Sequence, residues 1–253
     1  MIFYFTATGN SLYVARQFDN APISIPQMMR EETTTFTDSQ IGIICPVYAG
    51  YAPNLVNKFL EKFTFQTDYF FVVFTYGNEE TVACEEMDAL CKNLGIRLDY
   101  SHAIKMVDNY LPVFDMAEQK KIDKKIDEQL QKVLKDISNQ KKEVPQATQQ
   151  GRKLVKRVNL INKILPMFNN GSQIKVINEK CVGCGICEKV CPINNIQIEN
   201  DKAVKKSKKC EFCLACAQNC PEKAITLRMS DKNPMERFRN EEISLNEIIE
   251  ANQ

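Results

Sequence analysis

Short apolar runs alternate with longer amphipathic segments along residues 1–143. The apolar runs predict strands at Met1–Phe5, Ile23–Ile25, Ile41–Val47, Tyr69–Thr75 and Ala103–Val107. Apolar positions at helical spacing predict helices at Asn10–Phe18, Pro53–Phe63, Glu80–Leu94 and Met116–Ser138. Strands that alternate with helices indicate a parallel sheet covered on both faces. The expected fold class is therefore α/β, with a doubly wound sheet of five parallel strands.

Two stretches bear on the regularity of this sheet. The run Tyr69–Phe74 is continuously apolar, which is typical of a strand buried on both faces. The stretch Glu31–Gln40 is polar and contains four threonines. We therefore expect the helix that follows the second strand to be short or absent.

Eight of the eleven cysteines form two copies of one pattern near the C-terminus. Both copies read C-x2-C-x2-C-x3-C-P, the spacing that holds a [4Fe–4S] cluster in bacterial ferredoxins. The first copy comprises Cys181, Cys184, Cys187 and Cys191, and the second comprises Cys210, Cys213, Cys216 and Cys220. Short apolar strands are expected after the copies, at Ile196–Ile198 and Ile225–Leu227, to make two hairpins of a small α+β domain that resembles bacterial ferredoxins.

The fourth cysteine of each copy is expected to cross to the other cluster, as it does in two-cluster ferredoxins. On that rule one cluster takes Cys181, Cys184, Cys187 and Cys220, and the other takes Cys210, Cys213, Cys216 and Cys191. Gly183 and Gly185 let backbone N–H groups approach the sulfides, because glycine has no Cβ. Pro192 and Pro221 turn the chain after each crossing cysteine.

A disulfide framework and a zinc site are the rival interpretations of these cysteines. Disulfides need an oxidising compartment. The chain starts on an apolar strand, without a charged n-region or a cleavage site, so a cytoplasmic location is expected. Zinc does bind C-x2-C pairs, but zinc sites seldom add a third cysteine two residues on and a closing Cys-Pro. Iron–sulfur clusters are therefore favoured.

Doubly wound sheets bind ligands at the carboxyl ends of their strands, so the loops after the first, third and fourth strands are informative. The first loop is Thr6, Ala7, Thr8, Gly9, Asn10 and Ser11. It places three hydroxyls, a glycine and an asparagine before a helix N-terminus, where backbone N–H groups and the helix dipole favour an anion. It lacks both the lysine of a P-loop and G-x-G-x-x-G, which argues against a dinucleotide.

This first loop resembles the phosphate loop of flavodoxins, [ST]-x-T-G-[NT]-[ST] between a strand and a helix. The resemblance implies that the loop binds the phosphate of FMN. It also implies that two further loops clasp the flavin ring, and these comprise Pro46, Val47, Tyr48, Ala49, Gly50, Tyr51, Thr75, Tyr76, Gly77 and Asn78. Because the chain has no Trp, the stacking ring is Tyr48, Tyr51 or Tyr76. Residues 1–228 as a whole resemble the flavodoxin–ferredoxin fusion proteins of anaerobic bacteria and archaea.

The remaining candidate residues are not expected to bind a metal or to act in catalysis. Cys45, Cys84 and Cys91 match no ligand pattern, and free cysteine usually behaves as a small buried hydrophobe. His102 is the only histidine and is expected to be structural. No Ser-His-Asp or Cys-His unit is apparent, so hydrolytic chemistry has no residues to use.

The resemblance and the composition divide the chain into four parts. We predict a flavodoxin-like domain at 1–143, a basic helical linker at 144–172, a ferredoxin-like domain at 173–228 and a helical tail at 229–253. The linker places Leu154, Val158, Ile161 and Leu165 on one helical face. This stripe is expected to pack on a domain, and the alternative is a helix that lies on a membrane surface.

Charge is unevenly distributed, although the formal net charge is only +1. Acidic residues are in excess over 1–145, and residues 146–172 carry basic residues without acidic ones. The run Lys205–Lys209 contains four lysines and is unusual for a ferredoxin. It is either a solvated hairpin tip or a cationic surface that meets the acidic N-terminal domain or an acidic redox partner.

The leading functional interpretation is a cytoplasmic electron-transfer protein that carries FMN and two [4Fe–4S] clusters. Its expected partners are redox proteins or a small electron acceptor, whereas nucleic acid is not expected, and a homodimer is left open. No apolar run reaches the ~18 residues of a membrane span. Two alternatives stay open: an FMN-dependent reductase of a small substrate, and a flavin-free redox-sensing or interaction module.

Overall fold

The computed structural model describes residues 1–79, 82–164 and 171–253, without the side chains of 161–164. Within that part, the chain forms two compact units. The first, called the sheet unit, comprises 1–6, 10–106 and 123–160. The second, called the cysteine unit, comprises 7–9, 107–122 and 161–253. Both units are discontinuous in sequence, and the predicted domain boundaries did not include this exchange of segments.

Five parallel strands form the main sheet, in the order β2-β1-β4-β6-β7. Its elements and their neighbours in the first part of the chain are β1 (Ile2–Tyr4), α1 (Asn10–Ala15), β2 (Ile23–Ser24), α2 (Ile25–Met28), β3 (Thr35–Thr37), β4 (Gln40–Pro46), α3 (Asn54–Lys62), β5 (Thr64–Gln66), β6 (Tyr69–Tyr76), α4 (Ala83–Asn93) and β7 (Tyr100–Lys105). Counted within the sheet, this is the 2-1-3-4-5 order of flavodoxin-like folds. The predicted fold class is confirmed.

Buried aromatic side chains hold the sheet unit together. Strand β6 is buried along all but its last residue, as its apolar run predicts. The ring of Phe3 lies 4.6 Å from that of Phe36 and 5.0 Å from that of Phe59. Phe36 belongs to β3, which pairs in parallel with β5 in a separate two-stranded sheet. This small sheet was not predicted, because each of its strands has only three residues.

The predicted helix Met116–Ser138 is wrong, because two helices occupy that range. They are α5 (Met116–Gln119) and α6 (Ile126–Ser138). Between them Asp123 accepts a hydrogen bond from the backbone N–H of Lys125, and Lys125 has a φ of +54°. This local turn and the left-handed residue end the helical path. Helix α5 belongs to the cysteine unit and α6 to the sheet unit.

The linker helix is present as α7 (Gln149–Ile164), but its buried face differs from the prediction. Val155 is buried, whereas Leu154 of the predicted stripe is exposed. Arg152 forms an ion pair with Glu85 of the sheet unit, and the carboxylate of Glu85 also accepts from the backbone N–H of Ala147. Polar anchoring therefore fixes the start of α7. Leu165, Glu80 and the side chain of Ile161 lie outside the described residues.

The cysteine unit contains two antiparallel strand pairs. After a short 3₁₀ turn at Gly171–Gln173 its elements are β8 (Ile174–Val176), α8 (Ile186–Lys189), β9 (Ile196–Glu199), β10 (Lys202–Lys205), α9 (Ala215–Gln218), β11 (Ile225–Leu227) and α10 (Leu245–Asn252). Strands β9 and β10 form the first expected hairpin. Strand β11 instead pairs with β8, from before the first cysteine run.

Two segments outside the cysteine runs complete the core of this unit. Leu111 and Met116 from residues 107–122 are buried in the same cluster as Phe212 and Leu214. Phe238 of the tail joins that cluster, although it lies before the tail helix α10. Helix α10 starts with a capping box between Ser244 and Glu247.

Membrane-spanning helices were sought along the described residues. None of the helices there combines the length and the apolar character that a crossing requires.

Candidate metal centres and flavin loops

Two cavities of the cysteine unit are lined by cysteines from both runs. The cavity called the outer cavity is lined by Cys181, Cys184, Cys187 and Cys220. The cavity called the inner cavity is lined by Cys191, Cys210, Cys213 and Cys216. Each cavity thus combines three cysteines of one run with the fourth cysteine of the other run. This is the grouping that the ferredoxin crossing rule requires.

Backbone N–H groups donate to the sulfurs at both cavities. At the outer cavity Ala203 donates to Cys181 Sγ at 3.4 Å, and Ala224 donates to Cys220 Sγ at 3.3 Å. At the inner cavity Phe212 donates to Cys210 Sγ at 3.3 Å. Also at the inner cavity, Asn195 donates to Cys191 Sγ at 3.2 Å. Such N–H···S bonds stabilise thiolates and raise the reduction potential of a cluster.

Burial makes these thiols costly to ionise on their own. It raises the pKa of Cys187 to about 12, with smaller contributions from Cys220 and Cys184. It also raises the pKa of Cys213 and Cys216 well above the usual range of a thiol. Four thiolates in so dry a cavity need a cationic centre to offset their charge. The donor set and its surroundings therefore fit an iron–sulfur cluster.

The backbone wraps each cavity through left-handed residues at equivalent positions of the two runs. In the first run these are Gly183, with a φ of +70°, and Gly185, with a φ of +77°. The second run has Phe212 at +54° and Leu214 at +61° instead. A non-glycine residue in this region costs roughly 1–2 kcal/mol. Burial of both side chains in the core of the unit offsets that strain.

The two cavities differ in exposure. Val182 and Cys184 of the first run are exposed, and Val182 shows 63% of its surface to solvent. In the second run the corresponding Glu211 and Cys213 are buried. Residues 107–122 account for part of this cover, since the ring of Tyr110 lies 6.4 Å from that of Phe212. The outer cavity is consequently the one nearer to solvent.

The predicted phosphate loop is buried along its whole length, from Thr6 to Ser11. Within the cysteine unit, the hydroxyl of Thr8 accepts a hydrogen bond from Asn109 Nδ2 at 2.7 Å. The backbone carbonyl of Thr8 accepts a hydrogen bond from the backbone N–H of Asn240, also at 2.7 Å. Gly9 has a φ of +99°, and a Cβ there would lie 2.9 Å from that of Asn240. Within the sheet unit, the hydroxyl of Ser11 lies 2.9 Å from that of Thr75.

The second predicted flavin loop folds as a tight turn. Tyr48 and Tyr51 exchange backbone hydrogen bonds of 2.8 and 3.0 Å. The two residues between them, Ala49 and Gly50, both have positive φ, which is characteristic of a type I′ turn. The ring of Tyr48 packs edge-on against Phe5. Both tyrosine rings are partly exposed, so each retains surface for stacking.

Pro46, Val47, Tyr76, Gly77 and Asn78 complete the predicted ring-binding loops. The carbonyl of Thr75 accepts from the backbone N–H of Val47 at 2.9 Å, which ties the ends of β4 and β6 together. Tyr76 and Gly77 are partly exposed, and Asn78 is exposed. These loops therefore lie at the carboxyl edge of the sheet, as the strand pattern predicts.

The other three cysteines are buried, and the histidine is partly buried. Cys45, Cys84 and Cys91 are buried in the sheet unit. Burial raises the pKa of Cys45, with a smaller contribution from Cys84, so it is a poor nucleophile. Burial likewise lowers the pKa of His102, whose ring stacks on Tyr100.

Sequence reasoning missed three polar residues that shape these sites. Asn109 bonds the phosphate loop, and its own carbonyl accepts from Gln218 Nε2 at 2.6 Å. Asn195 holds the loop before Cys210 through the carbonyls of Ser207 and Lys209. Lys205 points inward and lines the inner cavity. The sequence does not distinguish Lys205 from the neighbouring lysines, so its inward orientation could not be predicted.

Comparisons with known proteins address the cysteine unit. The profile of the 4Fe-4S dicluster domain matches residues 173–221. A ferredoxin of Methanothermococcus thermolithotrophicus is 40% identical over 53 residues, which are 20% of this chain and 88% of that protein. One component of an ion-translocating oxidoreductase complex of Methanosarcina acetivorans is 41% identical over 61 residues, which are 24% of this chain but only 23% of that component.

Solved structures of similar shape include one redox enzyme. Rubredoxin oxygen:oxidoreductase of Desulfovibrio gigas gives a TM-score of 0.30 at 12% identity, over 53% of this chain and 35% of that chain. The strand order of the main sheet, and not this similarity, indicates the fold of the sheet unit. The sequence matches are decisive for the other unit. Through residues 173–221 the chain belongs to the 4Fe-4S dicluster ferredoxins.

Proposed function

We propose that this protein transfers electrons between FMN, bound at the predicted flavin loops, and two [4Fe–4S] clusters bound at the outer and inner cavities. The observation that carries the proposal is the grouping of eight cysteines around two cavities, three from one run and one from the other at each. The clusters supply one-electron steps and FMN supplies one- or two-electron steps. Joining them couples one-electron carriers to a two-electron partner.

The residues of the chain perform placement and electrostatic tuning. Cys181, Cys184, Cys187 and Cys220 are the proposed ligands at the outer cavity, and Cys210, Cys213, Cys216 and Cys191 are those at the inner cavity. The N–H···S bonds at the two cavities would stabilise the negative charge of a bound, reduced cluster. The exposed Val182 and Cys184 suit electron exchange with a redox partner protein or a small acceptor. Electron transfer itself needs no protein acid or base.

The FMN part of the proposal rests on the loops at the carboxyl edge of the sheet. Gly9 gives the first loop its left-handed turn, and α1 begins at Asn10 directly after it. The hydroxyl of Thr8 accepts from Asn109, so its own hydrogen can point to a phosphate oxygen. Thr6 and Ser11 supply the other hydroxyls. The rings of Tyr48, Tyr51 and Tyr76 are the candidates for stacking on the flavin.

One observation favours a second function, a flavin-free redox-sensing or interaction module. All residues from Thr6 to Ser11 are buried, and the tail residue Asn240 already donates to the carbonyl of Thr8. In this alternative the loop anchors the C-terminal tail instead of a phosphate. A flavin assay separates the two functions.

The proposed function is tested on protein purified without oxygen and reconstituted with iron and sulfide. We expect about eight iron and eight sulfide per chain, from two cubanes, and about one FMN per chain. Iron at this level without flavin would favour the flavin-free module. Protein that holds zinc in place of iron would refute both alternatives.

The crossing of the fourth ligands predicts which cluster each substitution damages. Cys191→Ala should impair the cluster at the inner cavity, although Cys191 belongs to the first run. Cys220→Ala is the matched variant and should impair the outer one. Iron analysis and electron paramagnetic resonance of each variant provide the measurement. Damage to the cluster of the same run in each variant contradicts the crossing.

Substitution of each glycine of the first run by alanine is expected to destabilise the outer cluster to a different extent. Gly183→Ala adds a Cβ 2.8 Å from the backbone oxygen of Asp201, whereas a Cβ at Gly185 has nothing within 4 Å. Both variants acquire left-handed strain of roughly 1–2 kcal/mol, and the steric overlap adds about 1–3 kcal/mol to the first alone. Iron loss to a chelator should therefore be faster in Gly183→Ala. Equal rates for the two variants would show that this contact is unimportant.

Removal of hydroxyls from the first loop tests the phosphate site. Thr8→Ala combined with Ser11→Ala removes two proposed donors, each worth about 1.5–3 kcal/mol to a charged group. FMN affinity should fall more than tenfold, while riboflavin, which lacks the phosphate, should bind nearly as before. Fluorescence titration of both flavins measures this. An equal loss for both ligands would mean that the phosphate binds elsewhere.

A further inference from the structure

The two cysteine cavities are related by the internal repeat, and backbone N–H groups donate to sulfurs at both. These donors include Ala203 and Ala224 at the outer cavity and Phe212 and Asn195 at the inner one. Charge and exposure also influence the reduction potential of a cluster.

One position of the repeat differs in charge. Lys205 pairs with Ile196 in the strand pair of the inner cavity, and Val176 pairs with Ile225 in the corresponding pair. Ile196 and Ile225 each follow the fourth cysteine of a run by the same interval. Lys205 and Val176 are thus equivalent, so at this position the inner cavity has a cation where the other strand pair has an apolar side chain.

Other charges also lie beside the two cavities. Glu211 lines the inner cavity and Glu222 lines the outer one. Lys202 Nζ donates to the carbonyl of Cys181, a cysteine of the outer cavity, at 2.6 Å. Lys205 is therefore one of several charges near the cysteines.

The side chain of Lys205 is directed into the unit. Its Nζ donates to the carbonyl of Ile174 at 2.7 Å and also to that of Gly171. Ile174 and Lys205 both line the inner cavity, together with its four cysteines. Lys206 and Lys208 of the same run are exposed. The inward position of Lys205 is therefore a specific arrangement and not a property of the whole lysine run.

A fixed cation beside a cluster favours the reduced state, because reduction adds one negative charge. The effect is strong only where solvent does not screen it. A cluster with four thiolates carries net negative charge, which favours the protonated form of a nearby amine.

We propose that Lys205 raises the reduction potential of the inner cluster. This inference rests on the two-cluster assignment. Lys205 is a positioning residue, since it acts on the electron through the field at the cluster and does not touch iron.

The test is a redox titration of the reconstituted full chain, followed by electron paramagnetic resonance. Cys184→Ser and Cys213→Ser assign the signals of the outer and inner cluster. Lys205→Gln removes the charge but keeps a donor for the carbonyls, and Lys205→Arg keeps the charge. Lys206→Gln is the control, because it removes an exposed charge from the adjacent position.

We expect Lys205→Gln to shift the inner midpoint potential to more negative values and to leave the outer one unchanged. Lys205→Arg and Lys206→Gln should leave both close to the wild type. The inference is overturned if Lys205→Gln shifts neither potential, or if the Gln and Arg variants shift the inner potential equally. The inference is also overturned if Lys205→Gln is the only variant that loses the iron of the inner cluster. The charge of Lys205 would then be needed for assembly of that cluster. Wild-type protein that binds fewer than two clusters would instead refute the two-cluster assignment on which this inference rests.

Discussion

Four sulfurs surround each cavity of the cysteine unit, and neither cysteine run supplies all four by itself. Cys220 reaches the cavity of the first run and Cys191 reaches that of the second. This exchange forces the two copies of the repeat to fold against each other, because each is incomplete alone. The four sulfurs of each cavity must be held together in a buried interior. The paired strands, the left-handed turns and the N–H···S bonds hold them there. Burial of the thiols, which opposes their ionisation, makes a cationic centre a condition of the arrangement.

A symmetric repeat has been made asymmetric by its surroundings. The first run keeps glycines at its two left-handed positions and remains open to solvent, whereas Phe212 and Leu214 take those positions in the second. Their side chains need an apolar partner, which residues 107–122 provide within the same unit. One cavity is therefore suited to exchange with partners and the other is shielded. Lys205 lines the inner cavity and donates to the carbonyl of Ile174 there.

The sequence predicted the features that depend on strict spacing or on long apolar runs. Cysteine spacing identified the cluster family, and strands such as β6 followed from uninterrupted apolar residues. It did not predict the break after Gln119 or the inward path of Lys205, because turns of a few polar residues and single rotamers leave no periodic signal. The transfer of residues 107–122 to the cysteine unit was also missed, since packing between distant segments depends on shape. The flavin loops lie at the predicted sheet edge, and their ligand is still a proposal.

Crystallographic anomalous scattering at the iron absorption edge, on anaerobically prepared protein, tests the central claim most directly. Our account predicts two separate iron centres, each a cubane of four irons. Continuous density should join the outer centre to Cys220 Sγ and the inner centre to Cys191 Sγ. A single centre, a signal at the zinc edge instead, or a cubane bound by all four cysteines of one run would contradict the account.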